Sequence, residues 1–308
     1  MRRVDPTIED ISKKGKRRDV VFITLMVLPA VILVIWQMYY PVIAGLRLAF
    51  TNYNIQNINR VRYVGFKNFI DLFKPGPFND FYRTMWNSLV FVLGALIPQL
   101  IIGFALALML NRAFRGRSIY QGVAFAPWAV SGFVIGIMWR WMFNGMGGVI
   151  NDLLVKAGIL KEPFGWLSSS STALFCVIVA MVWYGIPFFT IMITAALQSV
   201  PQELYEAAEM DGAGRIAKFK AVTLPHIKSV IILTTLLRVI WIFTGSDTII
   251  SMTGGGPAGS TQILTSKIYY QLMDGSYGKA SATSIVCTLI MVLYTLFYLK
   301  ITKFAEDD

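Results

Sequence analysis

Four carboxylates crowd into ELYEAAEMDGAGRIAKF, residues 203–219: Glu203, Glu206, Glu209 and Asp211, followed by the cations Arg215, Lys218 and, just beyond, Lys220. Paired carboxylates near a membrane face are what an integral membrane enzyme acting on a glycolipid or lipid-linked sugar would need. The same charges could instead orient a partner protein brought close over the small residues Ala207, Ala208, Gly212, Ala213 and Gly214. A solvated amphipathic linker touching lipid headgroups is the plainest reading. A second residue with chemistry is Arg238, set among Leu236, Leu237, Val239 and Ile240. An arginine at a bilayer centre costs at least ~2.5 kcal/mol on insertion scales, so it should face a channel or a partner. Its guanidinium can grip a carboxylate through two parallel hydrogen bonds. Asp247 is the nearest acid in that stretch, but nine residues put it ~13 Å away along a helix.

Other chemistry-bearing residues lead nowhere. His226 is the sole histidine and has no second histidine for a metal. Cys176 and Cys287 both lie inside apolar runs, which suits small packing residues rather than a disulfide or metal framework. Gly278-Lys279 lacks the upstream glycine of a P-loop and is followed by alanine, so no nucleotide site is expected. TGGGP at 253–257 opens no capping helix and reads as a turn.

The elements that must carry these residues are apolar. The mean hydropathy is +0.59, and 56% of the 308 residues are hydrophobic, above the 45–50% of ordinary soluble chains. The net charge of +11 does not point to nucleic acid, because the basic residues flank apolar runs instead of gathering on one face. Six runs approach the ~20 residues needed to cross a bilayer: 20–40, 86–110, 119–143, 172–196, 229–250 and 280–301. Lipid cannot satisfy free backbone groups, so each must be helical, and the fold class is an all-α polytopic membrane helix bundle. The first run is too long for a signal-peptide core and is read as a retained span. With the N-terminus inside, sixteen lysines and arginines fall on the inner side and ten on the outer. That bias places both termini in the cytoplasm. Trp36, Tyr39, Tyr40, Trp139 and Trp141 then sit near outer span ends as interfacial aromatics. The chain divides into a tail (1–19), a first span with its outer loop (20–79), and a core (80–308) carrying the charged hairpin at about 199–225. No matching pair of broken spans is visible in the two halves, which argues against a secondary transporter.

The hairpin lies on the cytoplasmic side between the fourth and fifth spans. Ser199 with Gln202 fits a capping box, with Pro201 in the first turn. Gln202 to Met210 are good helix formers, Asp211-Gly212 ends the helix, and a second short helix runs from about Arg215 to Val222. Leu224-Pro225 then turns the chain into the membrane.

Glu206-Ala207-Ala208, Asp211-Gly212-Ala213, Phe219 and Leu224-Pro225 together resemble the EAA motif of permease subunits of binding-protein-dependent ABC importers. FRGRSIYQGVAFAPWAV (114–130), WYGIPFF (183–189) and TGGGPAGSTQILTSKIY (253–269) resemble the maltose-permease-like, carbohydrate branch of that family. The resemblance implies the type I importer permease fold in a bacterial cytoplasmic membrane. It implies that Glu206, Ala207, Ala208, Asp211, Gly212 and Ala213 couple to an ATPase, so this chain hydrolyses nothing. It binds no cofactor, and ATP with Mg belongs to the partner. The implied partners are a second permease, two ATPase subunits and an extracellular or periplasmic sugar-binding protein, with membrane lipid around them and no nucleic acid. Motif by motif, it places Trp128 and Gly132, Tyr184, Gly185 and Phe188, and Arg238, Ile242 and Gly245 at a mid-membrane sugar site. Aromatic faces for stacking suit a sugar. Several of these positions are apolar or charged where a maltose site uses neutral polar groups, which points away from maltose. Arg238 points to an acidic, uronate-containing oligosaccharide.

Overall fold

The structure, a computed structural model, describes residues 6–76 and 80–302, with side chains from residue 19 onward. Residues 1–5 of the tail and Lys303, counted above among the inner cations, lie outside the described residues. Among the described residues five helices are long and apolar enough to cross a membrane, or six if one sharply bent pair is a single span. They are Asp19–Ala49, Phe81–Leu110, the bent pair Arg117–Ala129 with Gly132–Met142, Ala173–Gln198, Arg215–Met252 and Tyr277–Thr302. We refer to them as the first to sixth spans.

The second and fourth spans form the most extensive helix pair, and the fifth packs against both. Phe91, Phe189, Ile193, Ile227 and Ile242 are all but inaccessible in the resulting core. In lipid such contacts draw on close packing more than on expulsion of water. The first span is different. It is apolar and exposed throughout residues 20–43, and meets the rest through its last ten residues, Tyr40–Ala49, against the sixth span. A polar cap closes that end. Asn68 Nδ2 donates to the carbonyls of Ala49 and Thr51, both at 2.8 Å, and Gly278 N–H donates to Tyr53 O at 3.0 Å. Lys267 is buried in the same region. Burial lowers its ammonium pKa from the ordinary value, and the Asp80 carboxylate opposes that shift.

Four sequence expectations need correction. The third span is not straight: its halves meet at 98°. The first half ends in a short 3-10 turn at Ala126–Ala129, Val130 is extended, and Ser131 Oγ accepts from Val134 N–H at 3.5 Å to start the second half. Hydropathy averages over such a break because its residues, APWAVSG, stay apolar. The fifth span also breaks, where Gly245 takes an extended conformation between Leu224–Thr244 and Asp247–Met252. So two spans are broken, and the segments beyond the breaks pack on each other. Gly136 permits that contact, since a Cβ there would collide with Ser251 Oγ.

The remaining two corrections concern the hairpin. There is no capping box at Ser199. Its hydroxyl turns back to the Ala196 carbonyl at 2.8 Å, finishing the fourth span, and Pro201 occupies the N-cap without a side-chain cap. Leu224-Pro225 does not turn the chain. Helix runs from Arg215 through a π turn at Phe219–Thr223 directly into the fifth span. A proline ring inside a helix collides with the carbonyl four residues earlier. The wider π turn relieves that collision, and the first span repeats the device with a π turn at Ile35–Tyr39 before Pro41.

These exposures make the topology testable. Glu203, Arg215 and Lys156 are exposed, and the native Cys176 and Cys287 are buried. Glu203→Cys and Arg215→Cys should react with an impermeant maleimide only from the cytoplasm, and Lys156→Cys only from outside. The reverse pattern would invert the bundle. Lys267 is too buried to serve as an outer probe.

Candidate functional site

Two regions bring the sequence-marked residues together. The first is the hairpin. Its leading helix, Gln202–Met210, ends in a Schellman arrangement: Ala213 N–H donates to Ala208 O at 2.9 Å and Gly212 N–H to Glu209 O at 3.0 Å. Gly212 takes φ +75°, the left-handed conformation that costs other L-residues ~1–2 kcal/mol. Nothing in this chain crowds Gly212, so its constraint is conformational. Tyr205 ties the hairpin to the π turn through its hydroxyl, 2.9 Å from Thr223 Oγ1. Lys218 Nζ meets Glu209 Oε2 at 3.1 Å, an exposed pair of small energetic weight. Glu206 accepts from Gln202 Nε2 at 3.1 Å and is exposed, as are Ala207 and Asp211, whereas Ala208 and Ala213 are half-buried.

The sequence reading concentrated on charge and missed the apolar tip. Met210 is 91% exposed and Ile216 73% exposed, one on each side of the Gly212 turn. Two large apolar residues inside a charged run were the available signal. Bare at the end of a rigid turn, they suit insertion into another protein's groove.

The second region is intramembrane. Phe188 is nearly inaccessible, and its ring lies 6.0 Å from that of Trp128 and 5.1 Å from that of Trp241. Both tryptophans are more than two-fifths exposed, so two accessible indole rings each meet one buried phenylalanine. The Arg238 guanidinium carbon lies 5.8 Å from the Phe188 ring centre. Arg238 is 2% exposed and donates from Nε to Gln99 Oε1 at 2.7 Å. Its Nη2 is buried without a hydrogen-bond partner.

Of the eight residues marked for a sugar site, the structure gathers Trp128, Gly185, Phe188 and Arg238. Tyr184, half-buried, lies one turn before Phe188 on the same helix face. Gly132 and Gly245 mark the two span breaks; Gly132 sits opposite Asp247. Ile242 is wholly buried in the core and offers no surface to a ligand. On the fifth span the exposed stripe is Leu233, Leu237, Trp241 and Thr244, while Arg238 and Ile242 face inward. The exposed stripe is thus displaced by one residue, about 100° on a helix, from Arg238 and Ile242, and the sequence analysis marked neither Trp241 nor Gln99. Neither carries a local signal: Trp241 is one more aromatic in an apolar run, and Gln99 is 139 residues from Arg238.

Among the described residues no group of three or more His, Cys, Asp or Glu is placed to hold a metal. The His226 ring nitrogen Nδ1 lies 3.2 Å from the Val222 carbonyl, a local contact at the helix start.

Residues 99–305 match the family described as binding-protein-dependent transport system inner membrane component. The trehalose/maltose transport system permease protein MalF of Thermococcus litoralis is 31% identical over 97% of this chain and 99% of its own length. The diacetylchitobiose uptake system permease protein DasB of Streptomyces coelicolor is 32% identical over 92% of this chain and 87% of its own. A solved bacterial alginate ABC transporter, in complex with its alginate pentasaccharide-bound periplasmic protein, contains a chain that superposes with a TM-score of 0.78. It is 25% identical, covering 94% of this chain and 96% of that one.

The ATPase coupling that the resemblance implies for this hairpin is testable on its geometry. Gly212→Ile strains the turn, Glu206→Lys reverses an exposed charge, and Met210→Asp removes an apolar tip. Each variant should insert in the membrane as before yet lose co-purification of the ATPase subunits or uncouple ATP hydrolysis from uptake. Wild-type ATPase retention and transport in all three would separate the hairpin from coupling.

Proposed function

The chain belongs to the family of inner membrane components of binding-protein-dependent transport systems, and from that premise we propose that it forms one half of the channel of an ABC importer for an oligosaccharide. One observation carries the sugar reading: the exposed rings of Trp128 and Trp241 on buried Phe188, beside the 98° break of the third span and the interruption of the fifth at Gly245. Aromatic faces stack on the apolar faces of sugar rings, and a break in a span frees backbone groups to meet hydroxyls. The relatives named for trehalose/maltose and diacetylchitobiose support the same class.

A second permease completes the channel, two ATPase subunits bind ATP with Mg below, and an extracellular or periplasmic binding protein delivers the sugar. Both termini lie in the cytoplasm. The hairpin seats on an ATPase subunit, and nucleotide-driven closure of the ATPases switches the bundle between outward and inward access as a rigid-body change. This chain catalyses no reaction itself. The carboxylate cluster, Glu206, Glu209 and Asp211, is exposed on a hairpin with small residues and an apolar tip, which fits docking better than enzymatic work on a lipid-linked sugar.

An acidic, uronate-containing oligosaccharide is the narrower form of this reading. It is favoured by the unpartnered Nη2 of Arg238. At 2% exposure the guanidinium meets such a sugar only after the fourth or fifth span moves.

The test is uptake by proteoliposomes holding both permeases and both ATPases with the binding protein. Uptake of an oligosaccharide should require ATP inside and binding protein outside. Trp128→Ala and Trp241→Ala should each raise KM roughly threefold to tenfold, the size of a lost aromatic contact. If neither changes uptake, the aromatic face is not the site. Arg238→Met should reduce uptake of trigalacturonate more than that of maltotriose if the guanidinium reads charge. Equal loss would assign Arg238 to the protein frame.

A further inference from the structure

We propose that Gln99 is a positioning residue for the substrate face and acts through Arg238; this rests on the carbohydrate reading above. Three spans meet at these two side chains. Gln99 is wholly buried on the second span. Its Nε2 donates to the Met181 carbonyl of the fourth span at 2.7 Å, and its Oε1 accepts from Arg238 Nε of the fifth span at 2.7 Å. Both ends of the amide are in use, and a flipped amide would set donor against donor and acceptor against acceptor. The orientation of the side chain is thereby determined by the two helices it joins.

Gly185 provides the space. A Cβ at that position would run into Arg238 Nη2 and the Gln99 amide. Held at Nε, the guanidinium stays within cation–π distance of Phe188, and the Phe188 ring in turn packs against both Trp128 and Trp241. No carboxylate among the described residues pairs with Arg238. A neutral amide suits this task better than an acid. A carboxylate would take two guanidinium nitrogens and cancel the charge that attracts the ring. The amide takes one nitrogen and leaves the charge facing Phe188. The order of dependence is therefore Gln99, Arg238, Phe188, then the two tryptophans that meet the ligand. Gln99 itself is inaccessible and touches no substrate.

The experiment is a double-mutant cycle in the reconstituted complex with its binding protein, using Gln99→Met, Arg238→Met and the double variant. Maltotriose is the neutral probe and trigalacturonate the acidic one, and kcat and KM are read separately for each sugar that the wild type takes up. Gln99→Met should raise KM about tenfold with kcat changed less than about twofold. The double variant should be no worse than the worse single variant, because both remove the same support. Wild-type KM in Gln99→Met, or effects of the two changes that multiply independently, would overturn the proposal. Gln99→Met leaves a buried cation without its acceptor and can fail to assemble. If it fails while the double variant assembles, the coupling is expressed in assembly, and the KM of the double variant decides: a rise of about tenfold supports positioning and a wild-type value overturns it. If the wild type takes up neither probe, the reading for sugars of these two kinds falls. The same cycle is then read on the melting temperature of the purified complex, where coupled shifts support the Gln99–Arg238 link and additive shifts overturn it.

Discussion

A polar group inside a bilayer finds no water, so each departure from straight apolar helix must be satisfied by the protein itself. That constraint organises the centre of this molecule. Arg238 is a cation deep in the bundle, and it is accommodated by one amide, one aromatic ring and the space over one glycine. Gln99 in turn spends its other end on a backbone carbonyl. Because the partners come from three different spans, the arrangement fixes the relative rotation of those spans as well as the charge. The aromatic face that we assign to the ligand rests on the same contacts.

The breaks follow the same logic. Where the third span stops, Ser131 caps the segment that follows, and where the fifth stops, Gly245 adopts the extended conformation that lets Asp247–Met252 start afresh. The two resumed segments cover each other, with Gly136 against Ser251. Non-helical backbone within a membrane protein is tolerated when it is buried in protein or lines a cavity, and here the broken ends lie next to Trp128 and Gly132. The proline positions show a gentler solution, since a π turn ahead of Pro41 and Pro225 keeps the helix going past a residue that would otherwise interrupt it.

Continuity past Pro225 has a mechanical consequence. The π turn that receives the hairpin leads without a turn into the helix bearing Arg238 and Trp241. Leu224 and Trp241 are seventeen residues apart, about 26 Å along one helix. Tyr205 fastens the hairpin's first helix to the same π turn through Thr223. A displacement applied at the hairpin therefore reaches the aromatic face through a single rod and not through a flexible joint. A turn at Leu224-Pro225, as the residue types suggested, would have interrupted that path.

What the sequence by itself determined was everything carried by local composition: apolar runs long enough to span, a charged hairpin that cannot, helix-forming residues at Gln202–Met210, and the Gly212 stop. These depend on neighbours a few positions away, and hydropathy, propensity and turn chemistry register them directly. The motif at Glu206 to Ala213 was legible for the same reason. Only the tertiary structure decided which face of each span looks inward. Arg238 and Trp241 are three residues apart in equally apolar surroundings, yet one is buried and the other exposed. Helix rotation is set by packing against other helices, and in lipid, unlike water, the outer face can be as apolar as the inner one. With no polar stripe to mark the surface, one residue of uncertainty turns a side chain through about 100°. The partnership of Gln99 with Arg238 exists only once three spans have chosen their rotations together.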